Sequence, residues 1–361
     1  MTPRRAALLA SIVAVLAVVA AVFALGRAAP TTNALAGAAA PKLAAASSAQ
    51  AAPELVGVRD FDNSAPLTLR GLRGKVVLVD FWTYTCINCR RTFPFLRALQ
   101  STYSGHDFTV LGVHSPEFGF EKDHANVARA VKELHVTWPV AEDPEMATWA
   151  AFANQYWPAD YLLDRQGRVR FVHYGESGDQ AIETAVRALL DEGGTAPAAH
   201  VGDLRVSERP GAGLTPETYY GGQRGGAYAA GGVVVPPGRT VSRHDSDPGP
   251  DLVRLTGRFT GGEESLTMRA GAQVEQRFRA KDVYLTAAAA APATLDVTLD
   301  GHPVPPDRRG RSLIVVGGRT VVRIGADDLY ALLTGGAISE GRLRLTAAAD
   351  GAKLFTTTYG G

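Results

Sequence analysis

Val76-Val77-Leu78-Val79-Asp80-Phe81-Trp82-Thr83-Tyr84-Thr85-Cys86-Ile87-Asn88-Cys89 decides how this chain of 361 residues is read. Residues 76–81 make a short apolar run bounded by Gly74 and by a turn over 83–86. Such a run suits a strand buried in a parallel sheet. From Cys86 to Leu99 the apolar positions Phe93, Leu96 and Leu99 recur at helical spacing, with Pro94 as a kink. A strand therefore hands over to a helix at Cys86, and Cys89 falls one turn later on the same face. These are the only 2 cysteines of the chain.

That placement predicts redox chemistry. A helix N-terminus offers unpaired N–H groups and partial positive charge, which favour a thiolate, the reacting form of cysteine. Cys86 is the expected attacking sulfur and Cys89 the one that resolves the mixed disulfide. Structural disulfides usually close longer loops. Two cysteines cannot make an all-cysteine zinc site, and the 8 histidines show no H-x3–5-H spacing. No metal and no cofactor is expected. Asp80 is an acid inside a buried strand, where an unpaired charge is costly. Burial should raise its pKa and suit it to accept a proton near neutrality. Arg90 and Arg91 read as a solvated helix face, and His114 and His173 as strand or surface residues.

The strand–helix alternation continues. Strands are expected over 108–114 and 138–141, helices over 125–134 and 145–154. A hairpin over 160–164 and 169–174 turns at Arg165-Gln166-Gly167, and a last helix over 179–190 is capped near Ser177 or Asp179. This pattern predicts an α/β sheet with helices on both faces. From residue 252 the character changes. Short alternating runs at 252–259, 273–278, 283–287, 295–300, 312–316, 320–324, 342–347 and 354–359 predict an all-β sandwich or jelly roll.

Residues 6–25 are apolar apart from Ser11 and follow Arg4 and Arg5. About 20 such residues span a bilayer. The segment 1–27 is read as a single transmembrane signal-anchor or as a cleaved signal peptide, either of which places the remainder outside the cytoplasm. The Ala/Pro-rich stretch 28–53 reads as a flexible linker, 54–193 as the α/β domain and 194–361 as the β-sandwich domain. A formal net charge of +1 gives no electrostatic support to nucleic-acid binding.

Val79-Asp80-Phe81-Trp82, the Cys86–Cys89 pair and Pro94 resemble the thioredoxin superfamily. The string from Phe81 to Cys89 closely resembles the thioredoxin-like domain of DipZ-type cytochrome c biogenesis proteins and TlpA-like thiol reductases. The resemblance spans residues 53–192, with an insertion of that group around 124–134. It implies a thioredoxin fold in which Asp80 accepts the proton of the second thiol. It also implies a cis proline at Pro158, opposite the cysteines. Trp157, Pro158 and Trp82 are then the expected substrate-binding residues, with residue 157 offering its backbone to an extended segment. Thr215-Pro216-Glu217-Thr218-Tyr219-Tyr220, residues 280–284 and residues 355–360 resemble the C-terminal domain of DipZ-type proteins, which is similar in fold to carbohydrate-binding modules.

The implied function is a thiol–disulfide oxidoreductase acting on protein disulfides or dithiols, in cytochrome c maturation or envelope thiol homeostasis. DipZ-type proteins carry a multi-span electron-transporting domain, whereas this chain has one apolar segment, so a separate membrane electron donor is expected. The C-terminal domain would meet a glycan or an envelope protein; all 4 tryptophans lie outside it. Two other readings stay open. Thr83 and Cys86 stand in the T-x-x-C spacing of peroxiredoxin-like peroxide reductases, although Val79 replaces the proline of that family. A cell-envelope adhesion module led by the β-domain is the other.

Overall fold

The computed structural model describes residues 41–201, 213–225, 235–246 and 249–361. The apolar segment 6–25 lies outside them. Among the described residues no helix is long and apolar enough to cross a membrane.

Six strands form the first sheet: β1 (Phe61–Asp62), β2 (Val76–Trp82), β3 (Phe108–His114), β4 (Val140–Glu142), β5 (Ala159–Leu163) and β6 (Val169–Tyr174), in the order β1-β4-β3-β2-β5-β6. β2 runs parallel to β3 but antiparallel to β5, so the sheet is mixed. β6 returns beside β5 through a tight hairpin. The Asp164 carboxylate accepts the backbone N–H groups of Gln166 and Arg168, both at 3.0 Å, and Gly167 takes the left-handed conformation (φ +75°). All seven residues of β2 are buried because both faces are covered. Val76, Leu78 and Trp82 join the core under α1 (Ile87–Tyr103), α2 (His124–Glu133) and α4 (Asp179–Glu192). Val77, Val79 and Phe81 face the opposite core, with Phe152 and the Trp149 of α3 (Ala147–Ala151).

Gly112 of β3 is a close-approach glycine. A Cβ there would lie 2.9 Å from the Trp82 indole nitrogen and 3.0 Å from that of Trp138. Two indoles therefore cross the sheet face where a side chain would stand. At α4 the N-cap is Gly178, without a side-chain cap, rather than Ser177 or Asp179. The His173 imidazole fills the space beside it: a Cβ on Gly178 would meet that ring at 2.4 Å. Residues 41–53 run along β6. Ala44 N–H donates to Arg170 O (2.8 Å), Val169 N–H to Gln50 O (2.8 Å), and Ala51 bridges Arg168.

Each of the eight expected runs of the C-terminal region corresponds to a strand, overrunning it by at most one residue at an end, and Thr218–Tyr219, Thr240–His244, Leu266–Met268, His302–Pro303 and Asp328–Leu333 complete the 13-stranded sheet. The strands do not divide into two separate sheets. Ten of them follow one continuous hydrogen-bonded path from Leu313–Val316 to Asp328–Leu333. The path ends also meet, as Gly310 N–H donates to Leu332 O (2.9 Å) and Ser312 N–H to Ala331 O (3.2 Å). The result is a large antiparallel, nearly barrel-like domain around a core that includes Phe259, Leu285, Val297 and Leu345.

Candidate active site

Cys86 is the N-cap of α1, in extended conformation (φ −71°, ψ 109°), and its sulfur accepts the Cys89 N–H at 3.2 Å. Its carbonyl takes the first helical bond from Arg90 N–H at 3.1 Å. Both cysteines are free thiols; Cys86 is half-buried and Cys89 fully buried. Burial pushes the Cys89 thiol upward, and the Cys86 sulfur beside it adds to the rise. The helix thus holds one half-buried sulfur at its positive end and a second, fully buried one a turn later.

The loop before Cys86 is clamped from below. Buried Glu121 accepts Thr85 N–H (3.2 Å) and the Thr85 hydroxyl (2.6 Å) on one oxygen, and Glu117 N–H (2.7 Å) and Phe118 N–H (3.0 Å) on the other. Tyr84 stacks on His114 with ring centroids 5.7 Å apart. His114 is a buried β3 residue whose pKa burial lowers to about 3, so it stays neutral. Glu121 escapes notice in the sequence; its signal is a lone acid in the aromatic stretch Phe118-Gly119-Phe120-Glu121.

Asp80 lies on the face of β2 that looks toward α1 and is 1% exposed. Neither carboxylate oxygen has a hydrogen-bond partner. Burial first, and Asp160 second, raise its pKa well above the ordinary 3.8. Trp82, expected at the substrate surface, is instead fully buried, packed edge-on between Phe93 (5.2 Å) and His114 (5.0 Å). It supports the turn from beneath and offers no surface to a substrate.

The Trp157–Pro158 bond is cis. Because β5 starts at Ala159, opposite Phe81, Pro158 sits at the sheet end from which the 83–86 turn emerges. Trp157 donates its indole N–H to Ser115 O (3.0 Å), and its ring lies 4.1 Å from that of Trp149. Beside it Tyr156 (54% exposed) and Tyr174 (51% exposed) pair at 5.2 Å.

The β-domain forms a wall against the redox helix, so Arg90 and Arg91 are not solvated. Arg90 reaches the Asp328 carboxylate and the Tyr84 carbonyl, both at 2.5 Å. Arg91 lies 3.3 Å from Glu176 and 3.4 Å from Asp282, with its guanidinium 5.7 Å from the Tyr284 ring centre. Tyr219 donates to Glu117 (2.9 Å), and Phe355 packs on Phe118 (5.2 Å) and Phe120 (4.8 Å). Each of the three C-terminal motifs therefore sends a side chain into the redox domain. A cavity of about 510 Å³ remains between them, lined by Ile87, Arg91, Arg97, Tyr284 and Arg311. Among the described residues, Asp62, His124 and Glu142 stand close enough together to hold a metal ion. Glu142 there is already engaged by His124 Nδ1 (2.5 Å) and Arg59 (2.8 Å).

Residues 36–189 match the Redoxin family, and residues 215–360 match the family described as thioredoxin-like C-terminal domain. The chain is 34% identical over 315 residues to protein DipZ of Mycobacterium tuberculosis, covering 86% of this chain and 43% of that protein. It thus spans less than half the length of this relative. It is 29% identical over 143 residues to the thiol–disulfide oxidoreductase YkuV of Bacillus subtilis, covering 40% of this chain and 96% of that protein. A solution structure of a thioredoxin-like protein in its oxidized form aligns at 30% identity and a TM-score of 0.37, covering 40% of this chain and 97% of that one.

Proposed function

We propose that this chain, a member of the thioredoxin superfamily of thiol–disulfide oxidoreductases, exchanges electrons with protein disulfides outside the cytoplasm through Cys86 and Cys89. The observation that carries the proposal is the half-buried Cys86 at the start of α1, with buried Cys89 and unpartnered Asp80 behind it. In the reducing direction the Cys86 thiolate attacks a substrate disulfide. A mixed disulfide forms, and one substrate sulfur leaves as a thiolate. Cys89 then gives its proton to Asp80 and attacks the Cys86 sulfur. The Cys86–Cys89 bond forms, the mixed disulfide breaks, and two electrons have passed to the substrate. Asp80 suits this role because its raised pKa lets it take a proton near neutrality.

The exposed Tyr156–Tyr174 pair and the backbone at residue 157 supply a lip on which an extended segment can lie. The apolar run 6–25 supports membrane tethering, with electrons arriving from a separate membrane donor. The string from Phe81 to Cys89, which resembles that of DipZ-type cytochrome c biogenesis proteins, motivates a role in cytochrome c maturation or envelope thiol homeostasis. We assign the β-domain, with its jelly-roll-like strand content, a structural and protein-recruiting role, because its motifs are spent on the redox domain; a glycan is the competing ligand.

The test is reduction of insulin disulfides beside reduction of hydrogen peroxide. Wild type should reduce insulin, Cys86→Ser should be inactive, and Cys89→Ser should accumulate a mixed disulfide visible by mass spectrometry. Insulin reduction that survives in Cys86→Ser refutes the proposal. A measured reduction potential then sets direction, near about −270 mV for a reductase and about −120 mV for an oxidant.

A further inference from the structure

Asp80 does not stand alone behind Cys89. Its directly opposed neighbour across the β2–β5 ladder is Asp160. Opposed residues hold their Cβ atoms about 4.5–5.5 Å apart on the same face of the sheet. Asp160 is 2% exposed, and one of its carboxylate oxygens has no hydrogen-bond partner. On the next strand Asp160 opposes His173, whose Nε2 is buried without a partner. On the other side Asp80 opposes Gly112, which has no side chain. From α1 the pair is faced by Cys89, with Cys86 beyond it, and from the start of α4 by Asp179. Glu176, in the loop before α4, is engaged by Arg91.

The geometry points to Asp160 as a second proton-holding residue behind Cys89: Asp80 and Asp160 share one proton at rest and take a second from Cys89 when it resolves the mixed disulfide. This rests on the thiol–disulfide reading above. Two adjacent buried carboxylates cannot both ionise at ordinary cost, so one of them keeps its proton. Burial, followed by the charge of Asp179, raises Asp160 to about 7.

The resting pair bears one negative charge. The Cys89 thiol transfers its proton to the pair, which becomes neutral, while Cys89 becomes the thiolate. That thiolate bonds to the Cys86 sulfur, and the substrate sulfur departs as a thiolate to be protonated by water. The pair then releases its extra proton along the row toward His173 on edge strand β6 and half-buried Asp179. The buried negative charge stays at one until the new disulfide forms, which an isolated pair of ionised acids beside a thiolate would not achieve.

The experiment uses the full chain in its reduced form. The side-chain carboxyl carbons of Asp80 and Asp160 are followed by NMR between pH 4 and 9, and the rate of mixed-disulfide resolution is measured over the same range. The pair predicts two-step titration on both carbons. In Asp160→Asn the titration of Asp80 should collapse to a single step, and the pH midpoint of the resolution rate should rise by about one unit or more, because a lone buried acid releases its proton less readily than the neutral pair, whose remaining proton is shared. Single independent titrations in wild type, or an unmoved midpoint in folded Asp160→Asn, overturn the pair. If Asp160→Asn does not fold, the wild-type titrations decide alone. Cys86→Ser separates the two levels: full activity there removes the exchange reading itself, whereas its inactivity beside an unmoved midpoint removes only the pair.

Discussion

Asp160→Asn should flatten the pH dependence of stability of the whole chain. Folding raises Asp160 from the ordinary 3.8 to about 7. Between those values the unfolded chain has released this proton and the folded chain has kept it. The folded state binds more protons, so stability falls as pH rises through that window and levels off above about 7. At about 1.36 kcal/mol for each tenfold change in proton activity, the gap corresponds to about 4 kcal/mol for this one group. Asp160 is 2% exposed, so solvent screening takes little from that figure. Asp80, raised in the same direction, steepens the wild-type fall further. Cys89 does not interfere, because burial pushes its thiol well above the ordinary 9.0. Urea unfolding of reduced wild type and Asp160→Asn at intervals from pH 4 to pH 8 measures the effect. The two stability curves should diverge by about 4 kcal/mol across the range, with the variant gaining on wild type as pH rises. Parallel curves would mean that Asp160 ionises as freely in the fold as in the unfolded chain, and the reasoning about its burial would be wrong.

Two further substitutions probe the scaffold. Gly112→Ala places a methyl 2.9 Å from the Trp82 indole nitrogen and 3.0 Å from that of Trp138. It should cost about 1–3 kcal/mol of stability by overpacking and change the near-ultraviolet circular dichroism of the two tryptophans; an unchanged spectrum and midpoint refute it. Arg91→Ala leaves Glu176 and Asp282 without their shared cation at a side chain only 17% exposed. It should lower stability by about 3 kcal/mol; an unchanged urea midpoint would show that Arg91 does not hold the contact between α1 and the β-domain.

The redox turn was legible because its signals are local. A charged residue in an apolar run, a Trp at its end and two cysteines one helical turn apart need no knowledge of the rest of the chain. The eight C-terminal runs were legible for the same reason, since alternation is a local property. What depends on pairing was not. Asp160 read as an ordinary strand residue until the β2–β5 register set it against Asp80. Trp82 was expected to bind substrate, and the crossing of two indoles over Gly112 explains its burial. The strand Asp328–Leu333 went unread because Ala326-Asp327-Asp328 has the composition of a turn, yet Asp328 there anchors Arg90. The single, nearly closed strand path replaces two sheets because strand order is set by tertiary pairing, which alternation does not encode.

The position of the β-domain bears on what the site can accept. Tyr84 donates its hydroxyl to Asp327 O (3.2 Å), Arg90 pairs with Asp328, and Phe355 seats on the two phenylalanines that flank the Glu121 clamp. Those contacts cover the turn and one flank of α1. Aromatic pairs such as those of Phe355 contribute about 0.5–1.5 kcal/mol each beyond burial, so together they hold the wall in place. The aromatic surface left exposed beside Pro158 is that of Tyr156 and Tyr174. The β-domain thus borders the turn that carries Cys86 on one side, and the Tyr156–Tyr174 pair stays exposed beside Pro158 on the other.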